Sequence, residues 1–380
     1  MRSGKVNYGL KRVIILTIVT KITVLLLIWL AFCLLPFSYG SRSQNLVYPA
    51  GENAGIWSAY KTWDANHYLL LAGEGYSSNR MSNAFYPLFP FLIGATGYLF
   101  GSGLIAGLVI SHLFTIAAII FLYLYVRTLH SEETAYNTCL LLLVFPTGFF
   151  MGLVYTEALF LMLAVAFFYF SNGNRALPAN VCGFLLPLTR PTGILVAVPA
   201  VVEVLTKRKS GDFSTNWKRF LSPLSFVAGF VTYLLLMKFF TGSAMAGFEA
   251  QKQFISGNAM ANILHPIDFI VNNFINIEYT VAGYNTGIVN RIGFVLYLAV
   301  LAFSYRRLNK TLFVYSLILG MIPALSGNLM SYTRYLVVIF PLFICLAETI
   351  KRNNMYYYLI PGIALQTLFL IVHSLNYWIA

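Results

Sequence analysis

Charge is what this sequence has least of. Only 10% of its 380 residues are charged, where a water-soluble domain carries about 25%. That scarcity excludes an ordinary soluble enzyme. Cysteine is scarce too. Cys33, Cys139, Cys182 and Cys345 all lie in apolar segments without short spacing, which excludes a disulfide framework or a cysteine metal site and predicts core thiols. His112, His130, His265 and His373 are scattered and share no metal-ligand spacing, so no zinc or other metal is expected. No Walker loop and no G-x-G-x-x-G after a strand occurs, so neither ATP nor a nicotinamide is expected as cofactor. Internal repeats, a soluble domain and a low-complexity tail are also missing.

What is present is apolar. Hydrophobic residues make up 59% of the chain and its mean hydropathy is +0.74. Several runs approach the roughly 20 residues that cross a bilayer. The fold class is therefore all-α, a polytopic transmembrane helix bundle forming one integral membrane unit over residues 1–380. The net charge of +13 does not point to nucleic acid, because the basic residues punctuate the ends of apolar runs. That is the pattern of cytoplasmic flanks beside anionic lipid. Arg2, Lys5, Lys11 and Arg12 precede the first run, which puts the N-terminus in the cytoplasm; no A-x-A-like cleavage site follows, as in a retained signal-anchor.

Spans are expected at about 13–35, 105–126, 134–149, 152–170, 177–189, 191–206, 219–240, 287–304, 311–326, 333–349 and 355–377, about 11 in all. Between them lie a first external loop, 36–84, carrying interfacial helices, and a second, 241–286. The stretch 85–126 is ambiguous, since Pro87 and Pro90 fit a short or re-entrant helix before a single span. Charge decides it. One span keeps Arg127, Arg175, Lys207-Arg208-Lys209, Lys218-Arg219, Arg306-Arg307-Lys310 and Lys351-Arg352 inside. The same topology puts Glu52, Asp64, Glu74, Glu157, Glu249, Asp268 and Glu278 at the outer face, with Arg190, Arg291 and Arg334 near it.

The segment Trp63-Asp64-Ala65-Asn66-His67-Tyr68 is the most telling. In a helical turn Asp64, His67 and Tyr68 share one face, and a carboxylate placed there can serve as general base on a hydroxyl. An Asp capping an interfacial helix, with Trp63 as a belt anchor, explains the same residues. Glu157 falls about one turn inside an apolar helix, at a cost of about 2.5–3.5 kcal/mol on insertion scales. It should face a cavity, as a substrate contact or in a buried ion pair with Arg190 or Arg334. Arg190, between Thr189 and Pro191-Thr192-Gly193, and Arg334, in Ser331-Tyr332-Thr333-Arg334-Tyr335, present donor forks suited to phosphate; each alone also fits a snorkelling anchor.

These segments resemble the PIG-V-like mannosyltransferases, the family of GPI mannosyltransferase 2 and its prokaryotic relatives. The resemblance is carried by Trp63 to Tyr68 with Ala72 to Tyr76, and by Asn83-Ala84-Phe85-Tyr86-Pro87-Leu88-Phe89-Pro90. It continues with Phe145-Pro146 through Tyr155-Thr156-Glu157-Ala158-Leu159-Phe160, then Thr189 to Gly193, and Arg334-Tyr335 with Pro341. It implies a GT-C glycosyltransferase that takes a hexose, mannose by resemblance, from a polyprenyl- or dolichyl-phosphate sugar on the extracytoplasmic face. Asp64 would be the catalytic base, with inversion at the sugar. His67, Tyr68, Glu157, Arg190, Arg334 and Tyr335 would contact substrate. No metal or cofactor is expected; the partners are the lipid-linked donor, an acceptor glycolipid, glycopolymer or protein, and membrane lipid. The expected location is a cell membrane, or the endoplasmic reticulum membrane in a eukaryote. A secondary transporter or lipid flippase is the alternative reading, with Glu157 and Arg190 on a transport path.

Overall fold

The computed structural model describes residues 2–209, 221–254, 265–276, 278, 280–281, 284–285, 287–325, 329–350 and 352–379. The expected basic flank Lys218-Arg219, Lys351, the ends of the 219–240 and 311–326 spans and much of the second external loop lie outside the described residues.

The described chain is overwhelmingly helical, as its composition predicts. In order come α1 (Arg2–Leu34), α2 (Tyr39–Asn45), α3 (Asp64–Glu74), α4 (Leu88–Phe100), α5 (Gly103–Leu129), α6 (Glu132–Leu143) and α7 (Glu157–Asn172). They are followed by α8 (Ala176–Leu185), α9 (Ala197–Lys209), α10 (Ser222–Thr241), α11 (Ala246–Phe254), α12 (Pro266–Ile270), α13 (Ile288–Ser304) and α14 (Lys310–Leu325). The chain closes with α15 (Tyr332–Leu336), α16 (Phe340–Thr349) and α17 (Tyr356–Ser374). A two-residue antiparallel pair, Thr280–Val281 against Tyr284–Asn285, is the one extended element described.

Four helices among the described residues are long and apolar enough to cross a membrane: Tyr8–Leu34, Gly103–Leu129, Ser222–Thr241 and Tyr356–Ser374. Shorter apolar helices make up the rest of the bundle. The piece before α5 is short, as the prolines predict: α4 has 13 residues and holds Pro90 in its first turn, where a missing N–H costs nothing. The first external loop is helical in pieces, at α2, Ile56–Tyr60, α3 and Met81–Ala84.

Three boundaries differ from the hydropathy reading. The expected spans 134–149 and 152–170 are interrupted, because α6 stops at Leu143 and α7 starts at Glu157. Pro146 cannot donate to a helix, and the residue before a proline is pushed from helical geometry. The expected 333–349 helix is likewise two, α15 and α16, with Pro341 in the first turn of the second. Of the four cysteines, all free, Cys139, Cys182 and Cys345 are buried as expected, whereas Cys33 is exposed on α1.

The break between α6 and α7 exposes backbone carbonyls in an apolar setting, where each needs a donor. Side chains from three other helices supply them. Gln366 Nε2 donates to Leu143 O at 2.9 Å and Phe145 O at 2.6 Å. Lys21 Nζ, only 2% exposed, donates to Gly148 O at 3.1 Å. Thr115 Oγ1 reaches Met151 O at 2.5 Å. The irregular segment is thereby fixed, and with it the start of α7.

Contacts divide the chain into two compact units. The first comprises residues 1–75, 88–173 and 343–379; the second comprises 76–87, 174–342 and 380. In the first, α5 packs on α7, α4, α6 and α1, and α3 lies on α4. In the second, α10 packs on α8, with Gly229 against the Phe184 carbonyl. Tyr86, from the Phe85-Tyr86-Pro87 segment, is buried there in a parallel stack on Tyr233, 4.0 Å between ring centres and 2° between planes.

Candidate functional site

The first unit carries the turn that begins α3. Asp64 is the first residue of that helix, and Trp63, not Asp64, occupies the capping position. The belt-anchor reading of Trp63 fails, since the indole is 8% exposed and packs edge-to-face on Trp378 with 4.8 Å between ring centres. Trp63 has φ 49° and ψ −120°, a conformation that bulky residues rarely adopt. Such geometry persists only where its surroundings over-determine it.

Those surroundings are polar. Asn66 Nδ2 donates to Lys61 O at 2.9 Å and Trp63 O at 3.4 Å. Tyr155 Oη donates to Thr62 O at 3.0 Å, and Thr62 Oγ1 meets His373 Nε2 at 2.7 Å. Thr62, Tyr155 and His373 thus support the turn, although sequence reasoning gave none of them a role. Tyr155 lies in the Phe145–Phe160 motif, whereas nothing local marks His373, because only the fold brings α17 to this loop.

Asp64 is half-buried, whereas every residue from Ala65 to Leu71 is buried. His67 lies one turn on, as the spacing predicts. Burial draws its pKa down to about 4, against an opposing pull from the Asp64 carboxylate. Its imidazole is consequently uncharged at neutral pH, and Asp64 has a polarisable neighbour rather than a competing cation. Tyr68 places its hydroxyl 3.3 Å from Thr156 Oγ1. Its ring meets Phe89 edge-on, 5.3 Å between centres. Tyr68 therefore joins the face of α3 that it shares with Asp64 and His67 to Thr156, just before α7.

Glu157 opens α7 and is fully buried, directly after Thr156. It does not lie a turn inside the helix, as the hydropathy reading had it. At a helix N-terminus the backbone dipoles favour its negative charge, by about 0.3–1 kcal/mol and up to ~2 kcal/mol when partly buried. This lowers the burden of placing a carboxyl in an apolar bundle.

The second unit brings together the arginines. Arg190 sits in extended backbone before the Pro191–Val196 turn of helix, and Arg334 lies in α15. The guanidinium carbons lie 6.0 Å and 5.4 Å from the centre of the same ring, that of Tyr335. Arg190 is 9% exposed and Arg334 is 8% exposed, so neither snorkels to a membrane surface. The segment bearing Arg334 is tied down. Asn290 Oδ1 accepts from Thr333 N at 3.0 Å and Thr333 Oγ1 at 2.8 Å, while Asn273 Oδ1 accepts from Leu329 N at 3.0 Å. Arg291 donates through Nε to Asn273 O at 2.6 Å, which gives it a structural task. Two buried guanidiniums sharing one aromatic platform suit an anion with several oxygens.

Residues 84–237, less than half of the chain, match the family model described as dolichyl-phosphate-mannose-protein mannosyltransferase. Among solved structures, the chain is similar to the Archaeoglobus fulgidus oligosaccharyltransferase in its apo form, at a TM-score of 0.49 and 11% identity over 94% of this chain and 56% of that one. The same archaeal enzyme, AglB, in complex with an inhibitory peptide and a dolichol-phosphate matches at 0.45 and 12% identity, covering 94% of this chain and 56% of that one. The chain spans about half the length of the structures it matches. A comparison with curated proteins finds no match. Over residues 84–237 the chain is therefore similar to the dolichyl-phosphate-mannose-protein mannosyltransferases.

Proposed function

We propose that this protein transfers a hexose, mannose by its family resemblance, from a polyprenyl- or dolichyl-phosphate sugar to a hydroxyl acceptor on the extracytoplasmic face. Asp64 is the general base. The carrying observation is its placement: a half-buried carboxylate at the head of α3, beside a neutral buried imidazole, on a turn held in an unfavourable conformation. The acceptor O–H gives its proton to the Asp64 carboxylate as the oxygen attacks the anomeric carbon. The anomeric C–O bond breaks, its electron pair leaves with the lipid phosphate, and the configuration inverts. By the family resemblance alone, Arg190, Arg334 and Tyr335 take the phosphate. Tyr68 and Glu157 contact the sugar or its acceptor. The leaving group carries charge that guanidiniums can meet, so the reaction needs no metal.

The test is Asp64→Asn in membranes supplied with polyprenyl-phosphate mannose. Positioned general-base help is typically worth about 10²- to 10⁴-fold, so transfer should fall by that factor while the protein remains folded. Near wild-type transfer by the variant would remove Asp64 from this role. An acceptor-independent movement of the lipid across the bilayer would favour a flippase instead.

A further inference from the structure

In the second unit, α12 runs on into a π-helical turn, Val271–Ile275, closed by Asn276 N donating to Val271 O at 2.7 Å. The resulting helix has two unlike faces. One is committed to the protein. Phe269 is 5% exposed and Asn273, one turn on, is 1% exposed. The Phe269 ring meets Phe294 of α13 with 5.4 Å between centres. Asn273 donates from Nδ2 to Phe269 O at 2.9 Å and accepts at Oδ1 from Leu329 N at 3.0 Å. The other face is apolar and open. Ile267, Ile270, Val271 and Ile275 are 37–74% exposed, and steps of three and four positions put them on one side of the helix. A continuous exposed stripe of this kind marks a contact with a membrane or another protein.

Position and charge say what covers it. Phe269 and Phe274 both pack on Phe294, and Arg291 Nε donates to Asn273 O at 2.6 Å, so the helix sits beside the first two turns of α13. On α13 itself Ile288, Ile292, Val295 and Leu296 are exposed, again in steps of three and four, as on a helix that faces lipid. The stripe of α12 thus adjoins a lipid-facing surface at the end where α13 begins. From His265 to Asn276 there is no lysine or arginine, and Asp268 is the one acidic residue. Attraction to anionic headgroups therefore does not hold this helix; apolar contact does.

We propose that α12 and its π turn lie in the membrane interface, with the isoleucine stripe seated at the boundary of headgroups and acyl chains and Asp268 on the wet edge. The seating bears on the candidate site. Asn273 fixes this helix to Leu329, whose carbonyl in turn accepts from Tyr332 N at the start of α15. Lipid contact thereby sets the level of the segment that carries Arg334, where a lipid-borne phosphate would arrive. This last consequence rests on the glycosyltransferase reading; the seating itself does not.

The experiment places a nitroxide on the full chain in phosphatidylcholine nanodiscs through Ile267→Cys, Ile270→Cys, Ile275→Cys or Asp268→Cys, one at a time. Each variant also carries Cys33→Ser, since Cys33 is the exposed native thiol and the other three are buried. All four labelled positions are exposed, so the label displaces no core side chain. Accessibility to oxygen against a water-soluble nickel complex reads the depth. Labels at the three isoleucines should lie about 5–10 Å into the headgroup and acyl boundary, and the label at Asp268 closer to water. Anionic lipid and added salt should leave those depths unchanged. Water-exposed labels at the isoleucines, equal depth at all four positions, or depths that follow the anionic lipid would overturn the proposal. So would spin–spin broadening between two copies in one disc that vanishes on dilution with unlabelled protein, which would assign the stripe to a second copy. Asp64→Asn should leave the depths as in wild type, so loss of the base assignment and loss of this seating are told apart.

Discussion

Acid should destabilise this protein through His67. The imidazole has an ordinary pKa of about 6.5 when exposed, and burial in α3 lowers it to about 4. Between those values the unfolded chain binds a proton that the folded chain refuses. Stability from this group is therefore complete above about pH 6.5, falls as pH drops, and levels off below about 4. The gap corresponds to about 3 kcal/mol, a large fraction of a protein's usual margin. The assay is the thermal unfolding midpoint in nanodiscs at pH 7, 5.5 and 4.5, for wild type and His67→Gln. The wild type should lose several degrees more than the variant, which has nothing to titrate there. Asp64→Asn should enlarge the loss, since the carboxylate is what opposes burial at His67. Parallel curves for wild type and His67→Gln would show that the imidazole is not held neutral by burial.

Other outcomes follow from the same geometry. Arg334→Ala should raise the KM for the lipid-phosphate sugar by about tenfold or more, the loss of a charged hydrogen bond, and leave the acceptor KM unchanged; the reverse split would assign that guanidinium to the acceptor. Gln366→Leu removes the donor from two buried carbonyls, those of Leu143 and Phe145, at about 1–3 kcal/mol each. Its unfolding midpoint should drop, and an unchanged midpoint would mean that the break between α6 and α7 is satisfied another way. Gly229→Ala drives a methyl into the Phe184 carbonyl where α10 crosses α8. Overpacking of this kind costs about 1–3 kcal/mol, read as reduced yield of folded protein in detergent; normal yield would refute the close crossing.

Hydropathy made the helices legible, because apolar length is a property of the sequence alone. It could not see where a helix gives way inside an apolar run. The continuous stretch from Thr134 to Phe170 reads as nearly unbroken lipid-soluble residues, yet the chain leaves helical geometry between Leu143 and Glu157. Pro146 was the local sign. What permits the break is remote: Lys21, Thr115 and Gln366 arrive from α1, α5 and α17 to meet the freed carbonyls. The same reasoning explains the candidate site. The shared face of Asp64, His67 and Tyr68 follows from helical period, and it was readable. The strained backbone of Trp63 and its support from His373 depend on contacts more than 300 positions apart in sequence, which no local pattern records. A polar residue isolated in an apolar span is therefore best read as a partner to irregular backbone elsewhere: His373 for the turn before α3, and Lys21 and Gln366 for the start of α7. In this protein those two irregular segments are what position Asp64 and Glu157, so the scattered polar residues of the spans and the acidic residues of the candidate site are two halves of one arrangement.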